Sequence, residues 1–395
     1  MKIKNIAIIE IYSHHVFVET LSRVLLENEY EVTIYVNKRI YEDLKNLLPN
    51  SNKLNIVLPK NNEGDLQFLL RFKKDIELNN DLLIINTIQG YRILYFYFLN
   101  YRIPTIAAAG RISEFFKVKY RFFGFKKIRD FLYHNFVRSF LPKIISRLIG
   151  IIVHTDKAEN IAKNAFFLKP IHKMPFSLFK QNIDKHKITF EGLHFVITGS
   201  INETSRDHKS LIKVFERIWG EGIDNVKLTI LSSTKSDYGK EMKKIFNDLA
   251  NKKYDINYFD DWIPEDEYLR ISSNADFFIA PIKKDYYSSG ELTSVTVESI
   301  RTGTPAIYPS WYLHEEKLKK SSIFFDDFDD LYKIIVKLSE NIDESKAFKS
   351  SAKRSLEVFS LENESKKIKT FLDSLTIGKC WIKRELQLLE LDMLA

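Results

Sequence analysis

The residues best suited to chemistry fall in three short stretches. Gly290-Glu291-Leu292-Thr293-Ser294 runs directly into Val295, Val297, Glu298 and Ile300, the apolar start of a predicted helix. Backbone N–H groups at such a start, reinforced by the helix dipole, suit phosphate oxygens, and Thr293 and Ser294 add hydroxyl donors. The same residues also suit plain helix capping, with a glutamate in the first turn for dipole reasons, and the sequence leaves both uses open. Arg206 and Lys209 follow a Gly199-Ser200 turn. Two cations beside a diphosphate would neutralise its charge without a metal; the plainer reading is a solvated basic surface.

His14 and His15 stand directly after a first predicted strand. An imidazole there is placed to orient or deprotonate a hydroxyl, although adjacent residues cannot both face the same way and lone histidines are commonly structural. Glu298, one turn into its helix, is either a solvated glutamate or a functional carboxylate that accepts hydrogen bonds. The apolar neighbours Val295, Val297 and Ile300 favour the second, because an unpaired buried carboxylate is costly.

The elements that must position these groups read as strands alternating with helices. Apolar β-rich runs occur at Ile6 to Ile9, Val32 to Val36, Leu54 to Leu58, Leu82 to Ile85, Thr105 to Ala109 and Ile151 to Val153. The pattern restarts at Phe195 to Thr198, Leu228 to Leu231, Ile256 to Phe259, Asp276 to Ala280, Pro305 to Tyr308 and Ile323 to Phe325. Such alternation predicts parallel βαβ units, hence an α/β chain of two Rossmann-like domains. Their ligands belong at the carboxyl ends of the strands, in a central cleft that the two halves face. The expected division is 1–180 for the first domain, 181–355 for the second, and a helical segment at 356–395 that crosses back to the first.

No Gly-x-Gly-x-x-Gly follows either opening strand and no Walker loop occurs, which disfavours NAD, FAD and P-loop chemistry. The 395 residues carry one cysteine, Cys380, which leaves no disulfide framework or multi-cysteine metal site and suits a reducing, cytoplasmic compartment. The first apolar run is cut by Glu10 and no stretch approaches the ~20 apolar residues of a spanning helix.

The net charge of +8 is matched by one region, residues 111–147, with 10 basic and 2 acidic residues among ten aromatics. That mixture suits an anionic inner-leaflet membrane surface, reached as a peripheral contact, or else core aromatics with wet basic faces. No nucleic-acid motif accompanies it, and nucleic acid is not an expected partner.

Trp262-Ile263-Pro264-Glu265-Asp266-Glu267-Tyr268-Leu269, Asn274 to Pro281 and Val297-Glu298-Ser299-Ile300-Arg301-Thr302-Gly303-Thr304-Pro305 together resemble the donor domain of GT-B glycosyltransferases of the family-4 type. Val196 to Ser200 with Arg206-Asp207-His208-Lys209 resembles that domain's first strand and loop. The resemblance implies a nucleotide-diphosphate sugar as donor, no metal or other cofactor, and a glycan or lipid-linked acceptor. It implies that Glu298 receives the ribose hydroxyls, that Arg206 is the basic residue facing the diphosphate, and that Trp262 shelters the nucleobase unless it packs in the core. It also implies retention of configuration, with the leaving diphosphate helping to deprotonate the acceptor. Three positions depart from the family: Gly290 replaces a glutamate, with Glu291 adjacent; Ser200 replaces an arginine; and the loops Asn86 to Gly90 and Ala109 to Glu114 lack a histidine, leaving Gln89, Arg111 and Glu114 as polar substitutes. The alternatives are a sugar-nucleotide epimerase or hydrolase of the same architecture, and a non-catalytic glycan- or membrane-binding relative.

Overall fold

The computed structural model describes residues 3–112, 136–180 and 190–375. Most of the aromatic-basic region 111–147, Glu114 and Cys380 lie outside the described residues, as does the end of the segment 356–395.

The chain divides into two compact units, Met1–Phe176 with the segment from Leu361 onward, and Ser177–Ser360. The first is built on β1 (Asn5–Glu10), β2 (Glu31–Val36), β3 (Leu54–Val57), β4 (Leu82–Ile85), β5 (Thr105–Ala108), β6 (Gly150–Val153) and β7 (Ile171–Lys173). They form one sheet in the order β3-β2-β1-β4-β5-β6-β7, with every pairing parallel. Between them run α1 (His15–Glu27), α2 (Lys38–Leu44), α3 (Asp65–Asn79), α4 (Arg92–Leu99), α5 (Leu141–Arg147) and α6 (Asp156–Ala165).

The second unit carries β8 (Leu193–Thr198), β9 (Val226–Ser233), β10 (Ile256–Phe259), β11 (Phe277–Ile279), β12 (Ala306–Pro309) and β13 (Ser322–Phe325) in the order β10-β9-β8-β11-β12-β13, again all parallel. Its helices are α7 (His208–Gly220), α8 (Asp237–Asn251), α9 (Glu265–Asn274), α10 (Lys284–Tyr287), α11 (Ser294–Thr302), α12 (Phe328–Glu340) and α13 (Ile342–Leu356); α14 (Leu361–Ser374) belongs to the first unit.

The central strands are mostly apolar because both faces of each sheet are covered. In the second unit, Phe195, Ile197, Leu228 and Ile230 pack against Leu211 and Phe215 of α7 and Met242 and Phe246 of α8. The alternate residues Val196, Phe278 and Ala306 pack on the opposite face with Ile271 of α9 and Val295 of α11. In the first unit Ala7, Ile9, Leu83, Ile85 and Ile151 meet Phe68 of α3, Phe96 of α4 and Ile144 of α5. The twelve strands expected from the sequence are present. β7 is additional: three residues, Ile171-His172-Lys173, paired with β6 after Pro170.

Candidate functional site

At the end of β8 the chain turns through Gly199, whose φ of +87° favours glycine, and a Cβ there would stand 2.2 Å from the Ser294 hydroxyl and 2.3 Å from the Arg206 guanidinium. The turn, Arg206 and the start of α11 are therefore in contact. Arg206 is buried; one terminal nitrogen, Nη1, donates to the Thr198 carbonyl and the other, Nη2, donates to Ser294 Oγ at 2.8 Å. Its Nε is buried without a hydrogen-bond partner, and no carboxylate among the described residues pairs with the guanidinium. Beside it His208, the first residue of α7, is buried with neither ring nitrogen bonded. Burial first, then the charge of Arg206, holds His208 down to about 3, so it adds no positive charge near neutrality.

Helix α11 starts as its sequence demands. Thr293 is the cap, its hydroxyl accepting the Thr296 N–H at 3.1 Å, and its own N–H donates to the Tyr312 hydroxyl at 3.0 Å. That hydroxyl donates in turn to the Glu291 carbonyl at 3.0 Å, and the Glu291 carboxylate accepts the Ser289 N–H at 2.8 Å, which pins the loop around Gly290. Gly290 takes a φ of +87°, again a glycine conformation. The two readings of Thr293 and Ser294 thus separate: Thr293 caps the helix, while Ser294 Oγ donates to the Thr198 carbonyl at 3.0 Å and faces Arg206. Glu298 is 5 % exposed and its Oε2 lies 3.8 Å from Arg301 Nη1, with Arg301 itself ion-paired to Glu265 at 2.6 Å. It is not a solvated helix glutamate.

Three predicted residues stand apart from this cluster or at its surface. Lys209 points outward from α7, paired with Glu241 at 2.7 Å and near Glu203 at 3.9 Å. Ser200 is exposed beyond Gly199. Trp262 is 71 % exposed, held only at its backbone by Asp261 Oδ1 at 2.7 Å, so it is not a core residue.

In the first unit the loop after β1 gathers a second polar cluster. His14 sits before α1 and its Nδ1 is 2.8 Å from Thr87 Oγ1; His15 begins the helix. Thr87 Oγ1 is also 2.6 Å from Oε2 of Glu10, a carboxylate with no exposed surface. Glu10 Oε2 accepts Asn86 Nδ2 at 2.5 Å as well, and Oε1 accepts the Tyr12 N–H and, at 3.2 Å, the Ser13 N–H. Burial chiefly holds His14 below the ordinary histidine value; Glu10 works the other way, and His15 and Arg111 add to the lowering. Glu10 and Thr87 were missed as functional candidates. The available signal was an acidic residue that ends an otherwise apolar strand.

Of the aromatic-basic region, the described end at 136–147 does two things. Val137, Leu141 and Ile144 are core residues, while Phe136 is exposed and Phe140 packs on Tyr97, whose ring lies 5.4 Å from the Arg147 guanidinium. Among the described residues no helix is long and apolar enough to cross a membrane.

No protein-family model and no curated protein matches the sequence. Solved structures match over nearly the whole chain. Anabaena HepE in complex with UDP-glucose is 11 % identical, superposes with a TM-score of 0.64, and covers 94 % of this chain and 99 % of its own. S. aureus TarM, in complex with fondaparinux, α-GlcNAc-glycerol and UDP, is 10 % identical with a TM-score of 0.65 over 94 % of this chain and all of its own. A UDP-forming α,α-trehalose-phosphate synthase from Burkholderia xenovorans is 9 % identical with a TM-score of 0.58 over 95 % and 99 %. The two parallel sheets and their coverings are those of the GT-B glycosyltransferase fold, as the sequence resemblance implied.

Proposed function

We propose that this chain is a glycosyltransferase that takes a sugar from a nucleoside-diphosphate donor held by the unit Ser177–Ser360. The observation that carries the reading is Arg206: a buried guanidinium with no carboxylate among the described residues, beside the positive end of α11. A buried charge without a counter-ion costs several kcal/mol, and an anionic ligand removes that cost. A diphosphate fits, since Arg206, Ser294 and the α11 backbone offer donors without a metal. Glu298, inside the same helix, is the candidate acceptor for the ribose diol, and exposed Trp262 at the end of β10 offers a face for the base. The UDP and UDP-glucose found in HepE support a nucleotide sugar as the ligand class.

The acceptor in this reading is a glycan or lipid-linked saccharide handled by the first unit, with the region 111–147 as its route to an anionic membrane surface. The resemblance implies retention, and the anomeric configuration of the product decides it.

The test is calorimetric binding of UDP, GDP and dTDP to the full chain, followed by product analysis with UDP-, GDP- and dTDP-glucose. One nucleotide is expected to bind, and Arg206→Ala to weaken it by at least about tenfold. Unchanged binding in both Arg206→Ala and Glu298→Gln overturns the site. Release of an isomer or of free sugar, with no transfer to any acceptor, overturns the transferase in favour of an epimerase or hydrolase.

A further inference from the structure

Large apolar side chains stand in water along one edge of the first unit. Leu78, Phe98, Phe167 and Leu168 are each more than two-thirds exposed, and they lie where α3, α4 and α6 end. Those helices lead into β4, β5 and β7, so all four residues mark the amino ends of strands in one half of the sheet. Hydrogen bonds make the edge continuous. The Arg102 N–H donates to Glu77 at 2.9 Å, which ties the end of α3 to that of α4. Arg147 Nη1 donates to the Tyr97 carbonyl at 3.3 Å, which ties α5 to α4, and Lys169 Nζ donates to the Ser146 and Leu148 carbonyls at 3.3 and 2.5 Å, which joins the Phe167-Leu168 loop to α5. The charge along the edge is positive. Lys143 and Arg147 lie 5.9 and 5.4 Å from the Tyr97 ring, and neither meets a carboxylate among the described residues. Helix α5 has no acid at all, and Glu77, at the α3 end, lies 4.0 Å from Lys73. Single exposed apolar residues are ordinary, but several along one edge, set among cations without counter-ions, mark a contact surface.

We propose that the first unit lies by this edge on an anionic lipid surface, with Phe98, Phe167 and Leu168 inserted at the acyl boundary and Lys143, Arg147 and Lys169 among the headgroup phosphates. The two halves of the arrangement need each other: burial of the rings and the leucine supplies apolar area, and the phosphates neutralise cations that the protein leaves unpaired at α5. Four of those six residues lie outside 111–147, so the edge enlarges the membrane contact proposed above, and it rests on that part of the reading. It also gives the contact a direction. Amino and carboxyl ends of a parallel sheet are opposite edges, so the loops that follow β1 and β4, with the polar cluster of Glu10, Thr87 and His14, point away from the lipid.

The test is co-sedimentation of the full chain with vesicles of phosphatidylcholine alone and of phosphatidylcholine mixed with phosphatidylglycerol, which needs neither donor nor acceptor. Binding is expected to the mixed vesicles only, with release at high salt. The double variant Phe167→Ser, Leu168→Ser is expected to weaken it by at least about tenfold, and Lys143→Gln by about fivefold at low salt. All three side chains are exposed, so melting temperatures should match the wild type. Tyr91→Ser, exposed at the opposite end of α4, is expected to leave binding unchanged and so checks the direction. Equal binding to both kinds of vesicle, binding to neither, or a loss in Tyr91→Ser as large as in the double variant overturns the proposal. Sedimentation velocity without lipid gives the remaining outcome: a dimer that the double variant splits into monomers overturns it in favour of a second copy of this chain on the same edge. A chain that fails on vesicles yet transfers sugar from UDP-, GDP- or dTDP-glucose loses this edge and keeps the transferase reading; one that binds the mixed vesicles as described but turns over none of the three keeps the edge and loses the transferase.

Discussion

Gly199 shows how one residue type fixes the donor cluster. Its φ of +87° strains any other side chain, and a methyl there meets the Ser294 hydroxyl and the Arg206 guanidinium, both ends of side chains that can move. Gly199→Ala is therefore expected to cost about 1–3 kcal/mol of stability and to displace Arg206. Thermal melting would show a folded protein, and calorimetry a loss of nucleotide affinity comparable to that of Arg206→Ala. Retained affinity would mean that Arg206 does not touch the ligand. At this scale the sequence was informative where backbone and chemistry coincide: Gly199, Arg206 and Ser294 meet. It was silent where three-dimensional pairing decides, as for Lys209, captured by Glu241, and for Glu10, whose side-chain donors come from residues 76 and 77 positions away.

Among the elements, α11 is the clearest case of division of labour between neighbouring hydroxyls. Thr293 satisfies a helix N–H, whereas Ser294 spends its hydroxyl on Thr198 and Arg206. Removing the cap with Thr293→Val should cost about 1 kcal/mol of stability. Ser294→Ala should leave melting nearly unchanged and weaken nucleotide binding, so a chemical denaturation series beside a titration separates the two. The strand positions and the parallel α/β class were legible because most strands are short apolar runs that recur between longer stretches. β7 escaped because three residues with a central histidine carry no period. That histidine is buried by stacking on Phe371 of α14 at 4.8 Å, a partner nearly two hundred residues away that no local pattern announces.

For the molecule as a whole, buried imidazoles make acid the weak point. Burial is the main cause that holds His154, His172 and His194 down to about 4, and His208 to about 3, against 6.5 for an ordinary histidine. Below about pH 6.5 the unfolded chain takes up protons that the folded chain refuses, so stability falls as pH drops toward 4 and is fully present above 6.5. Each group contributes up to about 1.4 kcal/mol per pH unit in that window. Calorimetric melting from pH 7.5 to 4.5 is expected to fall steeply, and His172→Phe, which keeps the stack on Phe371, should soften the slope; a flat profile would contradict the burial of these rings. The return of α14 to the first unit has a consequence for how the protein is made. Its Phe371 side chain and that of Leu375 just after it close over Gly150 and its Ser365 carbonyl receives Asn28, so the first unit lacks part of its core until residues 361–375 have been synthesised. Ser177–Ser360, an unbroken stretch, emerges from the ribosome first as a complete unit. At ~5–20 residues per second the first-made half waits roughly 10–40 s, with its apolar α14 seat open, for α14 to finish it.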